Sequence, residues 1–236
     1  MTISIVIPAL NERESLPATA RAARAAFPDA RIVVADGGSA DGTREWVVSQ
    51  SDLQMIDCPV RGRGPQMNAG AAQAGGDVLL FLHADCLLPA DARRAVEAAL
   101  ADPRVVGGCF GVRFTETRPR SLPFTAALIN AQSRLRRRAT GDQGIFVRRG
   151  AWDQCGEYKL WPLFEDIDFV TRLKRVGDFR VVREKVTISA RRWLEFGVGR
   201  TSLLMVALWI AYRLGVSPVR LKRWFSDIRP HLTRKP

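Results

Sequence analysis

Several short segments of this chain place carboxylates, glycines and arginines where a fold could gather them into one site. Asp36-Gly-Gly-Ser39 sets a carboxylate beside two glycines. An ionised carboxylate only accepts hydrogen bonds and can hold a ring N–H, while glycines let the backbone approach a ligand closely. His83-Ala-Asp85 offers the carboxylate oxygen that a hard cation such as magnesium or manganese prefers, with His83 as a weak ligand or a donor to phosphate. Glu165-Asp166 follows Pro162 and opens a helix. The helix macrodipole favours the ionised form of Asp166 in that first turn, so it is expected to be charged at neutral pH. Arg63 carries forked donors suited to phosphate oxygens, and the adjacent Arg191 and Arg192 could offset diphosphate charge. In an extended segment only one of that pair would point inward.

These residues need elements to position them. Ile3 to Ile7 and Arg31 to Ala35 are β-branched runs joined by the Ala/Arg-rich stretch Leu16 to Phe27, which makes a βαβ unit. The helix Pro65 to Ala74 leads to a third strand, Asp77 to Leu82, and Ala90 to Leu100 supplies a further helix. Such alternation predicts a parallel sheet with helices on both faces. Val105 to Phe114 and Ile145 to Val147 read as further strands, where the sheet becomes mixed. Asp166 to Val176 reads as a helix with Asp166, Phe169, Val170 and Leu173 on one face. Ligands of open parallel sheets bind outside the carboxyl ends of the strands. The segments Pro8-Ala-Leu-Asn-Glu12, Asp36 to Thr43 and His83 to Asp85 all lie there. Each also has a structural explanation: Asn11 as a helix cap, Asp36-Gly-Gly-Ser39 as a turn, Asp85 as a loop carboxylate, Glu165-Asp166 as a helix-start pair. Their joint occurrence at strand ends favours a shared site.

The set resembles the family 2 glycosyltransferases, and the likeness runs from residue 3 to about 175. The resemblance implies the GT-A fold, an α/β architecture with a mixed, mostly parallel sheet flanked by helices. It implies an inverting glycosyltransferase that moves a sugar from a UDP- or GDP-sugar to the hydroxyl of an unknown acceptor. By resemblance Pro8, Leu10 and Glu12 lie around base and ribose, Asp36 accepts a hydrogen bond from the base, and Arg63 and Asn68 line the donor pocket. Asp166 is the general base assisted by Glu165, and Asp142 and Gln143 of Gly141-Asp-Gln-Gly144 face the acceptor. Asp85 holds a divalent metal, Mg2+ or Mn2+; the family motif has two aspartates, and His83 stands at the earlier one. Gly62 to Gly70 and Ser189 to Trp193 are similar to a bacterial subgroup of small stand-alone members, some associated with arsenosugar biosynthesis.

The chain has 236 residues, 47% hydrophobic and 25% charged, which fits a globular protein. Its net charge of +12 is uneven: residues 1–110 hold 10 basic and 13 acidic side chains, residues 111–236 hold 26 and 11. Cys58, Cys86, Cys109 and Cys155 form no C-x-x-C pair and no signal peptide precedes the first strand, so a cytoplasmic protein is expected. The chain is expected to divide into a catalytic domain, 1–200, with a donor-nucleotide half, 1–110, and an acceptor half, 111–200, followed by a basic helical extension, 201–236. Leu203 to Tyr212 is an uncharged run of ten residues, about half of what a bilayer-spanning helix needs. Beyond it Val219, Trp224, Phe225 and Ile228 interleave with Arg220, Lys222, Arg223 and Arg229, as in an amphipathic helix at an anionic membrane surface, peripheral at the inner face. Packing on the domain, or homodimer formation through the C-terminal helices, explains the same pattern. The charge also suggests an alternative, a membrane-surface or nucleic-acid-binding protein that keeps the fold without turnover. The arginines Arg134, Arg136, Arg137 and Arg138 accompany no readout motif, so only non-specific nucleic-acid binding is expected.

Overall fold

The computed structural model describes residues 1–227, and the side chains of all of these except Arg192, Ser226 and Asp227. Ile228 and Arg229 lie outside the described residues. The N-terminal half runs β1 (Ile3–Ala9), α1 (Leu16–Ala26), β2 (Arg31–Asp36), α2 (Thr43–Val48), β3 (Leu53–Asp57), α3 (Arg63–Gln73), β4 (Val78–Phe81), β5 (Cys86–Leu87) and α4 (Ala92–Leu100). The rest runs β6 (Val105–Phe114), α5 (Ser121–Arg136), a 3-10 turn (Gly141–Gln143), β7 (Ile145–Arg148), α6 (Arg149–Cys155), α7 (Glu165–Leu173), β8 (Asp178–Ile188), α8 (Arg191–Phe196), α9 (Val198–Arg213) and α10 (Pro218–Asp227).

Eight strands form one sheet in the order β3-β2-β1-β4-β7-β6-β8-β5. β3, β2, β1 and β4 are parallel, β7 is antiparallel to both β4 and β6, and β8 runs parallel to β6. The carboxyl ends of β1, β2, β4 and β6 and the start of β7 therefore share one edge. β1 is buried along its length because it lies mid-sheet with helices on both faces. Ile3, Ile5 and Ile7 enter one core with Leu16, Phe27 and Val96, while Val6 enters the other with Met67, Trp152 and Phe169, following the period-2 alternation of a strand.

Helix α3 is held at close quarters to what it packs on. A Cβ at Gly70 would stand 2.3 Å from Val6 Cγ1, and one at Gly64 2.5 Å from the Lys159 carbonyl oxygen. Gln66 Nε2 donates to Ala9 O at 2.7 Å and to Ala35 O at 2.8 Å, tying α3 to the ends of β1 and β2.

One expectation is corrected here. Arg191 and Arg192 do not continue a strand; they open α8, and the exposed Arg191 side chain pairs with Glu195 at 3.1 Å. The i,i+4 pair turns it along its own helix toward solvent, and the side chain of Arg192 lies outside the described ones. The amphipathic helix α10 rests on α9 and buries Leu221, while Val219 and Trp224 stay about half exposed. Its neighbour α9 contacts α5 and α8.

Candidate active site

The loops after β1 and β2 are laced together. Gly37 N–H donates to Ala9 O, Asn11 N–H to Ser39 Oγ, Ala40 N–H to Asn11 Oδ1, and Glu12 N–H to Thr43 Oγ1, all at 2.8 to 3.0 Å. Asn11 takes φ 54°, a left-handed conformation that asparagine tolerates. At the centre Asp36, 1% exposed, accepts the N–H groups of Gly38 and Ser39 at 2.8 and 2.9 Å and the Ser39 hydroxyl. Arg44 completes the set at 2.9 Å and also pairs with Asp57. Burial would raise the Asp36 pKa, but the bonds from Ser39, Arg44 and Gly38 outweigh it and hold the carboxyl below its usual range. Asp36 is thus an ionised keystone of the loop, and Oδ1, bonded only by Ser39, is the oxygen with acceptor capacity left.

The other expected nucleotide residues differ in what they expose. Pro8 is buried in β1 opposite Ala35, whereas Leu10 is 38% exposed at the crevice mouth. Glu12 accepts the Ser15 hydroxyl at 2.6 Å just ahead of α1. Arg63 is exposed at the start of α3, and its charge counts among those acting on Glu165, so the start of α3 lies near the acid pair. Asn68 departs from expectation. Its amide donates to Tyr158 O at 2.8 Å and its oxygen accepts Tyr158 N–H at 2.9 Å, in a buried setting. It clamps the segment leading to Glu165, one amide N–H and the amide oxygen being engaged there.

His83, Asp85 and Cys86 follow β4, and one ligand atom from each lies within 4.8 Å of the other two. His83 is 9% exposed and Asp85 is exposed. Cys86, missed in the sequence, is buried against Asp85, and its thiol also reaches Asp142 O at 3.6 Å. The 3-10 turn after residue 140 therefore abuts this cluster. Gly141 is where it touches: a Cβ there would stand 2.5 Å from His83 Nε2.

The same glycine holds the acid pair. Gly141 N–H donates to Asp166 Oδ2 at 2.6 Å, and Ile167 N–H donates to Oδ1 at 2.7 Å. The expectation that Asp166 is fully charged at neutral pH is corrected, because its pKa is raised to about 7. Burial is the largest cause and the neighbouring Glu165 carboxylate the next; together they outweigh the two N–H donors at the helix start. Glu165, 5% exposed, is also raised by burial, with Arg63 and then Lys222 of α10 acting against it.

Of the expected acceptor residues, Asp142 is partly exposed and accepts the Thr140 hydroxyl. Gln143 is corrected. It is 1% exposed, donates to Phe110 O at 3.1 Å, and accepts Thr140 N–H at 3.0 Å and Ser133 Oγ at 3.2 Å. It fastens the turn to β6 and cannot read an acceptor. Asp168, which the sequence reading passed over, pairs with Lys159 at 3.0 Å and Arg172 at 2.7 Å. Arg172 in turn bonds the carbonyls of Cys155, Gly156 and Glu157, fixing the approach to α7.

A mostly parallel sheet with a laced carboxylate loop on one side of its carboxyl edge and a His/Asp/acid-pair cluster on the other defines a protein of the GT-A class. Solved structures share the fold. The mannosyltransferase PcManGT from Pyrobaculum calidifontis, in complex with GDP-Man and Mn2+, matches with a TM-score of 0.65 and 20% identity over 98% of this chain and 70% of that one. Glucosyl-3-phosphoglycerate synthase from Mycobacterium tuberculosis, in complex with Mn2+, UDP and phosphoglyceric acid, gives 0.60 and 20% over 91% and 79%. S. aureus TarS 1-349 gives 0.62 and 14% over 94% and 68%. The succinoglycan biosynthesis protein ExoA of Rhizobium meliloti is 38% identical over 106 residues, covering 41% of this chain and 32% of that protein. This chain thus matches about a third of the length of that relative. The family described as Glycosyl transferase family 2 matches residues 4–155, and the chain belongs to it.

Proposed function

We propose that this protein transfers a sugar from a nucleotide-diphosphate sugar to an acceptor hydroxyl in one inverting displacement, with Asp166 as general base. The observation that carries the reading is the short path from the His83–Asp85–Cys86 cluster through Gly141 to Asp166. A base must lie within hydrogen-bond reach of the proton it takes and have a pKa near working pH, and a carboxyl raised to about 7 meets the second condition. The acceptor oxygen attacks the anomeric carbon, its proton passes to an Asp166 oxygen, and the bond to the diphosphate breaks. Glu165 keeps the Asp166 pKa high, and Gly141 N–H orients the carboxylate.

On the donor side Asp36 Oδ1 accepts a base N–H, Leu10 borders the base, and Arg63 faces the diphosphate. The neighbours solved with GDP-Man or UDP support a donor of this class. Asp85 and His83 are the residues that would hold a divalent metal, Mg2+ or Mn2+. Their ligand atoms converge, and one carboxylate suffices for a hard cation that draws further ligands from phosphate and water. Held by Asp85 and His83, such a cation would supply positive charge to offset that of the leaving diphosphate. The test is release of UDP or GDP from a panel of nucleotide sugars with Mn2+ or Mg2+. Release that Asp166→Asn abolishes supports the assignment; no release from any donor refutes it.

A further inference from the structure

Helices α5 and α9 touch, and both turn apolar side chains outward. On α5 these are Phe124, Leu128 and Leu135, at 72%, 48% and 83% exposure, spaced i, i+4, i+11 along one stripe. On α9 and its C-terminal cap they are Leu203, Val206, Ile210 and Leu214, spaced i, i+3, i+7, i+11, with the first and last 72% and 80% exposed. Exposed apolar residues scattered singly are ordinary, but two stripes on adjoining helices form a patch that marks an interaction.

The segments that carry the stripes have charge of one sign. Residues 117–141 contain six arginines and no acidic residue, and residues 196–226 contain four arginines, one lysine and no acidic residue. At the seam the guanidinium carbons of Arg136, Arg138 and Arg213 stand 5.4, 4.6 and 5.9 Å from the centre of the Trp209 ring. None of the three is ion-paired among the described residues. Partial burial, and then the charges of Arg136 and Arg213, keep the Arg138 pKa below its usual value. The Trp209 ring attracts each guanidinium, and an anion between them would relieve their mutual repulsion.

We propose that the α5–α9 face docks on an anionic bilayer, its apolar stripes entering the headgroup boundary and Arg136, Arg138 and Arg213 taking a lipid phosphate. A second copy is the poorer occupant, because a self-complementary contact would set these cations against one another. No helix among the described residues is long and apolar enough to cross a membrane, so the contact is with its surface. The face also adjoins the acid pair: Tyr212, beside Arg213, stacks at 5.0 Å on Phe164, the residue before Glu165.

The test is co-sedimentation of the full chain with neutral phosphatidylcholine vesicles and with vesicles containing phosphatidylserine, at low and high salt. Binding to the anionic vesicles that falls with salt is expected. Arg136→Gln, Arg138→Gln and Arg213→Gln together should weaken it on the order of a hundredfold. Leu203→Asn with Ile210→Asn should also weaken it, with circular dichroism showing each variant folded. Equal binding to neutral vesicles, or undiminished binding by the triple variant, overturns the proposal. So does a dimer in light scattering that Leu203→Asn dissolves. Stabilisation by inorganic phosphate that needs the three arginines, without vesicle binding, assigns the cluster to a soluble phosphate and likewise overturns it.

Discussion

Replacing Asp166 by asparagine should remove activity and yet stabilise the protein above neutral pH. Asp166 has a folded-state pKa of about 7 against 3.8 ordinarily, so its ionisation opposes folding. A carboxyl raised in this way costs nothing below pH 3.8, and stability falls as pH rises toward 7 because the unfolded chain has already released the proton. The gap from 3.8 to about 7 corresponds to about 4 kcal/mol as a ceiling. Partial exposure lets solvent screen the charge, and about 2 kcal/mol is the expected gain at pH 8. Asparagine keeps an oxygen for Gly141 N–H, so the turn stays attached. Urea unfolding of both proteins at pH 5 and pH 8 measures the effect, with the variant's advantage growing toward pH 8. If the variant is less stable at pH 8 than wild type, or its advantage is the same at both pH values, the buried-charge reasoning fails.

The pH dependence of sugar transfer should show the same group, with the rate rising through about pH 7 to a plateau as Asp166 ionises; Glu165→Gln should move that limb to lower pH by removing the adjacent charge. A rate that is flat from pH 5 to 8 would exclude Asp166 as the base. Asn68→Ala leaves the buried N–H and carbonyl of Tyr158 without partners, so it should cost about 3 kcal/mol in urea unfolding. Asp85→Asn should lower turnover about a hundredfold and raise the Mn2+ concentration needed for half-maximal rate; an unchanged metal titration would take Asp85 out of the metal site. Gly141→Ala should slow transfer by pressing on His83, and nucleotide binding followed by thermal shift should be little affected.

The parallel strands were legible because burial on both faces leaves a β-branched run. Val105 to Phe114 has the bounds the sequence suggests, and β1 and β2 each extend a residue or two further. The edge strand β3 was not legible, since Leu53–Asp57 is half-buried and mixes polar with apolar residues. Nor was α5, whose outer face carries Phe124, Leu128 and Leu135 in place of the polar stripe that marks a surface helix. Within the proposed site, the positions of Asp36, Asp85 and Glu165-Asp166 at strand ends or a helix start were legible in the sequence. Asn68 and Gln143 were misjudged because the backbone atoms that occupy their amides lie 90 and 33 residues away. The ionisation of Asp166 was misjudged for a related reason: the helix dipole is local to the sequence, while its burial is a product of the fold.

Helix α3, wedged against Val6 and Lys159 and tied by Gln66 and Asn68 to both sides of the crevice, acts as a rigid spacer. For engineering, this separates what can be exchanged from what cannot. The exposed side chain of Leu10 can be exchanged without touching the spacer. A side chain at Gly64 or Gly70 would displace the spacer and alter the distance between the Asp36 loop and Asp166. Under the proposed function, donor preference is recast at such positions while the reach from nucleotide to catalytic carboxylate stays set by one helix.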